Sequence, residues 1–126
     1  MGKSAWSPQG EFPPLPLVLG DQVTEQPANL DTLSARYAAF ADAFITNATA
    51  AKTPFLLYLA FQHVHTPDYV SEKFCGVSKR GLFGDVVAEL DWLVGQVVGS
   101  VDGTGERNNS ELTVVAPTSN LAAPVA

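Results

Sequence analysis

Seven apolar residues in a row, Phe55-Leu56-Leu57-Tyr58-Leu59-Ala60-Phe61, stand between Pro54 and a polar stretch that begins Gln62-His63-Val64-His65. A run this short, apolar at odd and even positions alike, predicts a strand buried on both faces. Such strands belong to sheets covered by helices on both sides. A chain that contains one must supply the covering layers itself or be a slice of something larger.

The flanking sequence supplies helices. Residues 30–48 carry Leu30, Leu33, Tyr37, Phe40, Ala41 and Phe44 at helical spacing, which predicts a helix with Asp31 as its N-cap. Residues 83–101 place Val86, Val87, Leu90, Leu93, Val94, Val97 and Val101 on one broad face and predict a second helix. A Gly-rich turn then leads to Leu-Thr-Val-Val-Ala, which predicts a second buried strand at 112–116. Strand, long crossover and strand imply a parallel pair joined by a right-handed connection. The expected fold class is therefore α/β, a partial parallel sheet with flanking helices in the order αβαβ. Two interior strands cannot complete a sheet. Alone, the slice is expected to expose apolar surface and unpaired backbone.

Texture divides the chain into three parts. Residues 1–29 are rich in Pro, Gly and Gln, and Pro13, Pro14 and Pro16 forbid a central strand there, so an extended arm is expected. Residues 30–115 hold the α/β piece, and residues 116–126 form a divergent tail expected to be disordered. With 46% apolar residues the chain can build a core, and a formal charge of −6 argues against a nucleic-acid partner. The single cysteine, Cys75, excludes an internal disulfide. No apolar run is long enough to span a bilayer, and the start has no apolar signal-peptide core. Two sequons, at Asn47 and Asn108, are compatible with a glycoprotein of the secretory pathway.

His63 and His65, the only histidines, follow the first strand, and ligands of open α/β sheets bind beyond the carboxyl ends of strands. In extended backbone both rings would face one side. Taken alone, they read as ordinary loop residues, as a site, or as two of the three or more ligands of a zinc ion with Cys75 or Asp68 nearby. Lys79 and Arg80 read as solvated. Asp85, Glu89 and Asp91 are accounted for by the dipole of the second helix.

The apolar strand, His63-Val64-His65-Thr66-Pro67, Arg80-Gly81-Leu82-Phe83-Gly84-Asp85 and the helix around Glu89-Leu90-Asp91-Trp92-Leu93-Val94-Gly95-Gln96 closely resemble the middle of eukaryotic arylsulfatases. The arm before them is similar to the segment just upstream, so the resemblance runs from about Phe12 to Val115. It implies an alkaline-phosphatase-like α/β domain that hydrolyses sulfate esters in the lysosome, the endoplasmic reticulum or outside the cell. It also implies a formylglycine nucleophile made from Cys-x-Pro-x-Arg and a calcium or magnesium ion held by Asp and Asn oxygens. His65 matches the family's sulfate-binding histidine, with a role in proton transfer, and His63 is placed behind it in a supporting position.

The chain departs from the pattern in three places. Cys75 precedes Val77 and Lys79 where the nucleophile motif has Pro and Arg, and it follows the histidines instead of preceding them. The aspartate pair that opens the metal site is absent. At the far end Thr118 and Ser119 match, but Asn120 and Leu121 stand where the family has Asp and Asn, leaving Asn120 a single amide oxygen toward any metal. The expectation is a fragment of an arylsulfatase-like hydrolase, inactive as given and binding no cofactor. The alternatives are a non-catalytic remnant that associates with another protein, such as a full-length sulfatase, and a truncated product without function.

Overall fold

Asn29 starts the first helix: its backbone is extended and its side chain accepts from the Asp31 N–H at 3.1 Å. An Asn in this position satisfies one of the free amides of the first turn. The structure is a computed structural model that describes residues 3–4, 15–65 and 68–105. The elements in order are β1 (Lys3–Ser4), β2 (Leu17–Leu19), β3 (Gln22–Glu25), α1 (Leu30–Ala50), β4 (Tyr69–Val70), a short 3-10 turn at Glu72–Phe74, and α2 (Gly81–Gly103). Both helices lie within about two residues of the expected bounds. Helix α1 gives way to Lys52 in the left-handed region (φ 52°) and then Pro54, which cannot continue a helix.

The two helices pack on each other. Ala41 and Ile45 of α1 meet Val97 of α2, and Phe44, Leu57, Leu59 and Val101 close around them. A second group of buried apolar residues, Leu33, Val70, Val86 and Leu93, lies toward the loop that carries the histidines. The stripe expected on α1 is shifted: Phe40 is 55% exposed, while Ser34 and Ile45 are buried. Position 40 lies on the flank, because the core-facing line runs through 34, 41 and 45.

Residues 55–61 belong to neither a helix nor a strand and join no ladder among the described residues. Their burial still alternates as a strand's does. Leu57, Leu59 and Phe61 are half-buried, whereas Leu56 is 89% and Tyr58 87% exposed. Helices therefore cover one face and leave the other bare. A strand is defined by its neighbours' hydrogen bonds, and among the described residues no neighbour bonds this segment. The expected partner at 112–116 lies outside the described residues, as does the tail at 116–126. The α/β class holds, with both described two-stranded ladders antiparallel: β1 with β4, and β2 with β3.

The arm also differs from the expected plain extended segment. Immediately after Pro16 it folds into the β2–β3 hairpin, turning at Gly20, whose φ of +63° suits a residue without a Cβ. The hairpin is tied to α1 through Glu25. That carboxylate pairs with Arg36 and accepts the Asn29 N–H at 2.7 Å. The Arg36 hydrogen bond, more than any other contact, holds the Glu25 carboxyl below its usual range. Among the described residues of the arm, ladders form at Lys3–Ser4, before the prolines, and at Leu17–Glu25, after them.

Leu93 is fully buried between the helices and Leu56 faces solvent. Leu93→Ala is expected to lower unfolding stability by roughly 2–5 kcal/mol, the range for truncating a buried leucine. Leu56→Ala is expected to change it by less than about 0.5 kcal/mol. Urea titrations followed by circular dichroism would measure both.

Candidate functional site

The loop from Gln62 to Arg80 carries both histidines and holds little regular structure, so its backbone polar groups need partners from elsewhere. Carboxylates provide them. Asp31 of α1 accepts from the Tyr69 hydroxyl at 2.7 Å and from the Glu72 N–H at 3.1 Å. Asp85 of α2 accepts the Gly76 N–H at 2.8 Å and the Ser78 N–H at 2.7 Å, one on each oxygen. Glu89, one turn further along α2, accepts the Ser71 N–H at 2.9 Å. Asp31 is thus a loop anchor and not the N-cap expected of it. Asp85 and Glu89 are buried hydrogen-bond acceptors, where the sequence reading explained them by the helix dipole alone. Gly84 lets the loop pass close over the start of α2, since a Cβ there would lie 2.2 Å from Ser78 Oγ.

Glu89 also reaches the first histidine. His63 Nε2 lies 3.8 Å from Glu89 Oε2 and 3.2 Å from Ser34 Oγ, with His63 4% and Glu89 2% exposed. Burial alone would push the Glu89 carboxyl up. The nearby His63 ring, the Ser71 N–H, and the Ser34 and Ser71 hydroxyls outweigh it and bring it from 4.5 down to about 2. Ser34, His63 and Glu89 are the residue types of a nucleophilic relay, but the arrangement is not one. A relay places the hydroxyl on one ring nitrogen and the acid on the other. Here both face Nε2, and among the described residues Nδ1, itself buried, meets no hydrogen-bond partner.

His65 goes the other way. Val64 sits at φ 59°, in the left-handed region that β-branched residues rarely occupy. The backbone reverses there, so His63 is buried while His65 is exposed. The extended geometry expected to turn both rings into one pocket is not what forms. Two histidines that part in this way cannot chelate one ion. Among the described residues no group of three or more His, Cys, Asp or Glu could hold a metal, Cys75 and Asp68 included. The carboxylates that pin the loop, Asp31, Asp85 and Glu89, are already engaged by hydrogen-bond donors, and the described residues do not fit a calcium site. Asn120 lies outside the described residues.

The remaining candidates fall as follows. Cys75 is half-buried after the 3-10 turn and its N–H donates to the Glu72 carbonyl at 3.2 Å. Lys79 and Arg80 are exposed, as is Asn47 near the end of α1; the second sequon, at Asn108, lies outside the described residues. Lys73, beside the loop, places its ammonium 4.3 Å from the Trp92 ring centroid and 5.1 Å from that of Phe74. No helix among the described residues is long and apolar enough to cross a membrane.

A short loop pinned by carboxylates between two packed helices, with a His-x-His turn beside an apolar extended segment, is the setting in which relatedness can be judged. The family model described as Sulfatase matches residues 10–116. Rat steryl-sulfatase is 42% identical over 103 residues, covering 82% of this chain and 17% of that protein. Bovine arylsulfatase A is 42% identical over 92 residues, covering 73% and 18%, and human arylsulfatase G 40% over 94, covering 75% and 18%. The chain belongs to the sulfatase family, and it spans under a fifth of the length of these curated relatives.

The depressed Glu89 carboxyl has a pH consequence. Its stabilising effect is complete above about pH 4.5, the unfolded value, and is lost as pH falls toward about 2. Acid titration of the chain should therefore show a loss of stability across that window. Glu89→Gln should be less stable at neutral pH and show a flatter profile between those limits, as read by urea melts at a series of pH values.

Proposed function

We propose that the chain is part of the catalytic domain of a sulfatase, in which His65 faces the sulfate group of a sulfate ester undergoing hydrolysis. The observation that carries this is the reversal at Val64, which buries His63 and exposes His65. An exposed imidazole on a pinned loop can donate to a sulfate oxygen as charge develops there, while the ring beneath it holds the turn. The nucleophile and divalent ion of the family chemistry come from other parts of the domain, because the described residues do not fit an ion and Cys75 lacks the context for formylglycine. Calcium or magnesium is thus assigned to the whole domain and not to this chain. A parent that passes through the secretory pathway accords with the exposed Asn47 sequon.

A second reading draws on the bare face at Leu56 and Tyr58. An exposed apolar face beside unladdered backbone is suited to receive a strand from another chain. On that reading the chain is a non-catalytic remnant that associates with a full-length sulfatase.

The first reading is tested by placing residues 12–115 into rat steryl-sulfatase in exchange for the matching segment. His65→Ala in that chimera should lower turnover of a sulfate ester by roughly 10²- to 10⁴-fold, the range for a positioned acid–base group. Turnover unchanged by the substitution would remove His65 from the site.

The chain by itself should hydrolyse no sulfate ester. Groups that act as a unit are not replaced by one surviving member. Purified chain incubated for days with excess calcium or magnesium and a chromogenic aryl sulfate should not exceed a buffer blank. Turnover abolished by His65→Ala would mean that a nucleophile is present in this chain.

A further inference from the structure

We propose that Glu89 is the positioning residue of the histidine turn: its carboxylate fixes the proton of His63 on Nε2, leaves Nδ1 bare, and thereby sets the direction in which Val64 presents His65. The functional meaning of that direction rests on the sulfate-facing reading of His65; the positioning itself does not.

The geometry points to Glu89 in three ways. First, it is a carboxylate that lies against the turn and the chain beyond it at once, with His63 Nε2 at 3.8 Å and the Ser71 N–H at 2.9 Å. The two groups lie on either side of His65, so a single rigid group spans the segment that carries it. Second, at 3.8 Å Glu89 is too far for a direct hydrogen bond to Nε2, so the link runs through Ser34: a carboxylate accepts and does not donate, so a hydroxyl bonded to it accepts from the ring, and Nε2 carries the hydrogen. Ser34 Oγ, 3.2 Å from the same nitrogen, can accept from it and donate onward to Glu89. Third, Nδ1 is buried and has no partner among the described residues. A ring with one nitrogen held and the other unheld is fixed from one side only, and that side is Glu89 with Ser34. The strained φ at Val64 needs such support, because an unrestrained valine would relax out of the left-handed region.

The chain has only two histidines, so magnetic resonance of its imidazoles can be assigned with His65→Ala alone. In the ¹⁵N-labelled chain, His63 should show one protected, downfield Nε2–H and a bare Nδ1. Glu89→Gln should move that proton upfield and speed its exchange by roughly 10- to 100-fold, as loss of a hydrogen bond to a charged group implies. It should also shift the His65 ring signals. Val97→Ala, which weakens the same helix in its cluster with Ala41 and Ile45 and away from the turn, should leave the relative positions of both rings unchanged. If Glu89→Gln loses its helix signal, Glu89→Asp carries the same comparison, since it keeps the charge but is one methylene shorter. Absence of a protected His63 Nε2–H in the unaltered chain would overturn the proposal. So would His65 signals that respond to Val97→Ala as much as to Glu89→Gln. Turnover plays no part in this measurement. An inert His65→Ala in the chimera would therefore remove the sulfate reading and leave the positioning of the turn standing.

Discussion

A buried carboxylate with nothing to accept would destabilise α2, and a loop with unanswered amides would not lie down on it. Glu89 resolves both requirements together. Its burial is costly by itself, and the donors that outweigh the cost come from α1, from the histidine turn and from the chain after β4. The same exchange is repeated on either side by Asp31 and Asp85. The loop from Gln62 to Arg80 is thus held chiefly by anions on helices. Apolar packing supplies the platform beneath it, through Leu33, Val70, Val86 and Leu93.

The platform was legible in the sequence and the clamp was not. Helical spacing of apolar residues reports burial directly, so α1 and α2 emerge close to their true bounds. The apolar run at 55–61 was expected to be a strand buried on both faces; it forms no ladder among the described residues, and its burial alternates, with Leu56 and Tyr58 exposed. What a sequence cannot display is whether a neighbour is there to bond it. The hairpin at Leu17–Glu25 escaped because the prolines before it dominate the composition, although Gly20-Asp21 between two short apolar-polar stretches was a usable turn signal. Asp31 was given the capping role that its neighbour Asn29 performs, since either type serves and only geometry separates positions two residues apart. Glu89 did leave a trace. It lies three residues after Val86 and four before Leu93, on the line that faces the core. A charged residue on an apolar stripe asks for a buried partner, and the same question applies to Ser34, one residue after Leu33.

The divergent behaviour of the histidines comes from one backbone angle. Extended geometry would have aligned the two rings, and the left-handed Val64 separates them. Valine carries no sequence signal for that conformation, so the separation was invisible until the chain was folded. Its outcome is a division of labour between neighbours, with an inner ring that belongs to the core and an outer ring that belongs to the surface. The bare face of residues 55–61 tells a parallel story on a larger scale. Among the described residues helices cover one side and Leu56 and Tyr58 stay exposed on the other, in a chain that spans under a fifth of the relatives it matches.

The position of Glu89 in the chain imposes an order on assembly. Every group it holds precedes it: Ser34, His63 and Ser71 are all made before residue 89. The separations are appreciable, 29 residues between Ser34 and His63 and 18 between Ser71 and Glu89. Closing such loops costs entropy before the contacts return it. A chain emerging N-terminal end first can form α1 and the hairpin early, but the histidine turn has no anion to settle on until α2 has been synthesised and has coiled. The outward aim of His65 is therefore among the last features of this segment to be established, and it arrives with a helix that lies wholly downstream of it.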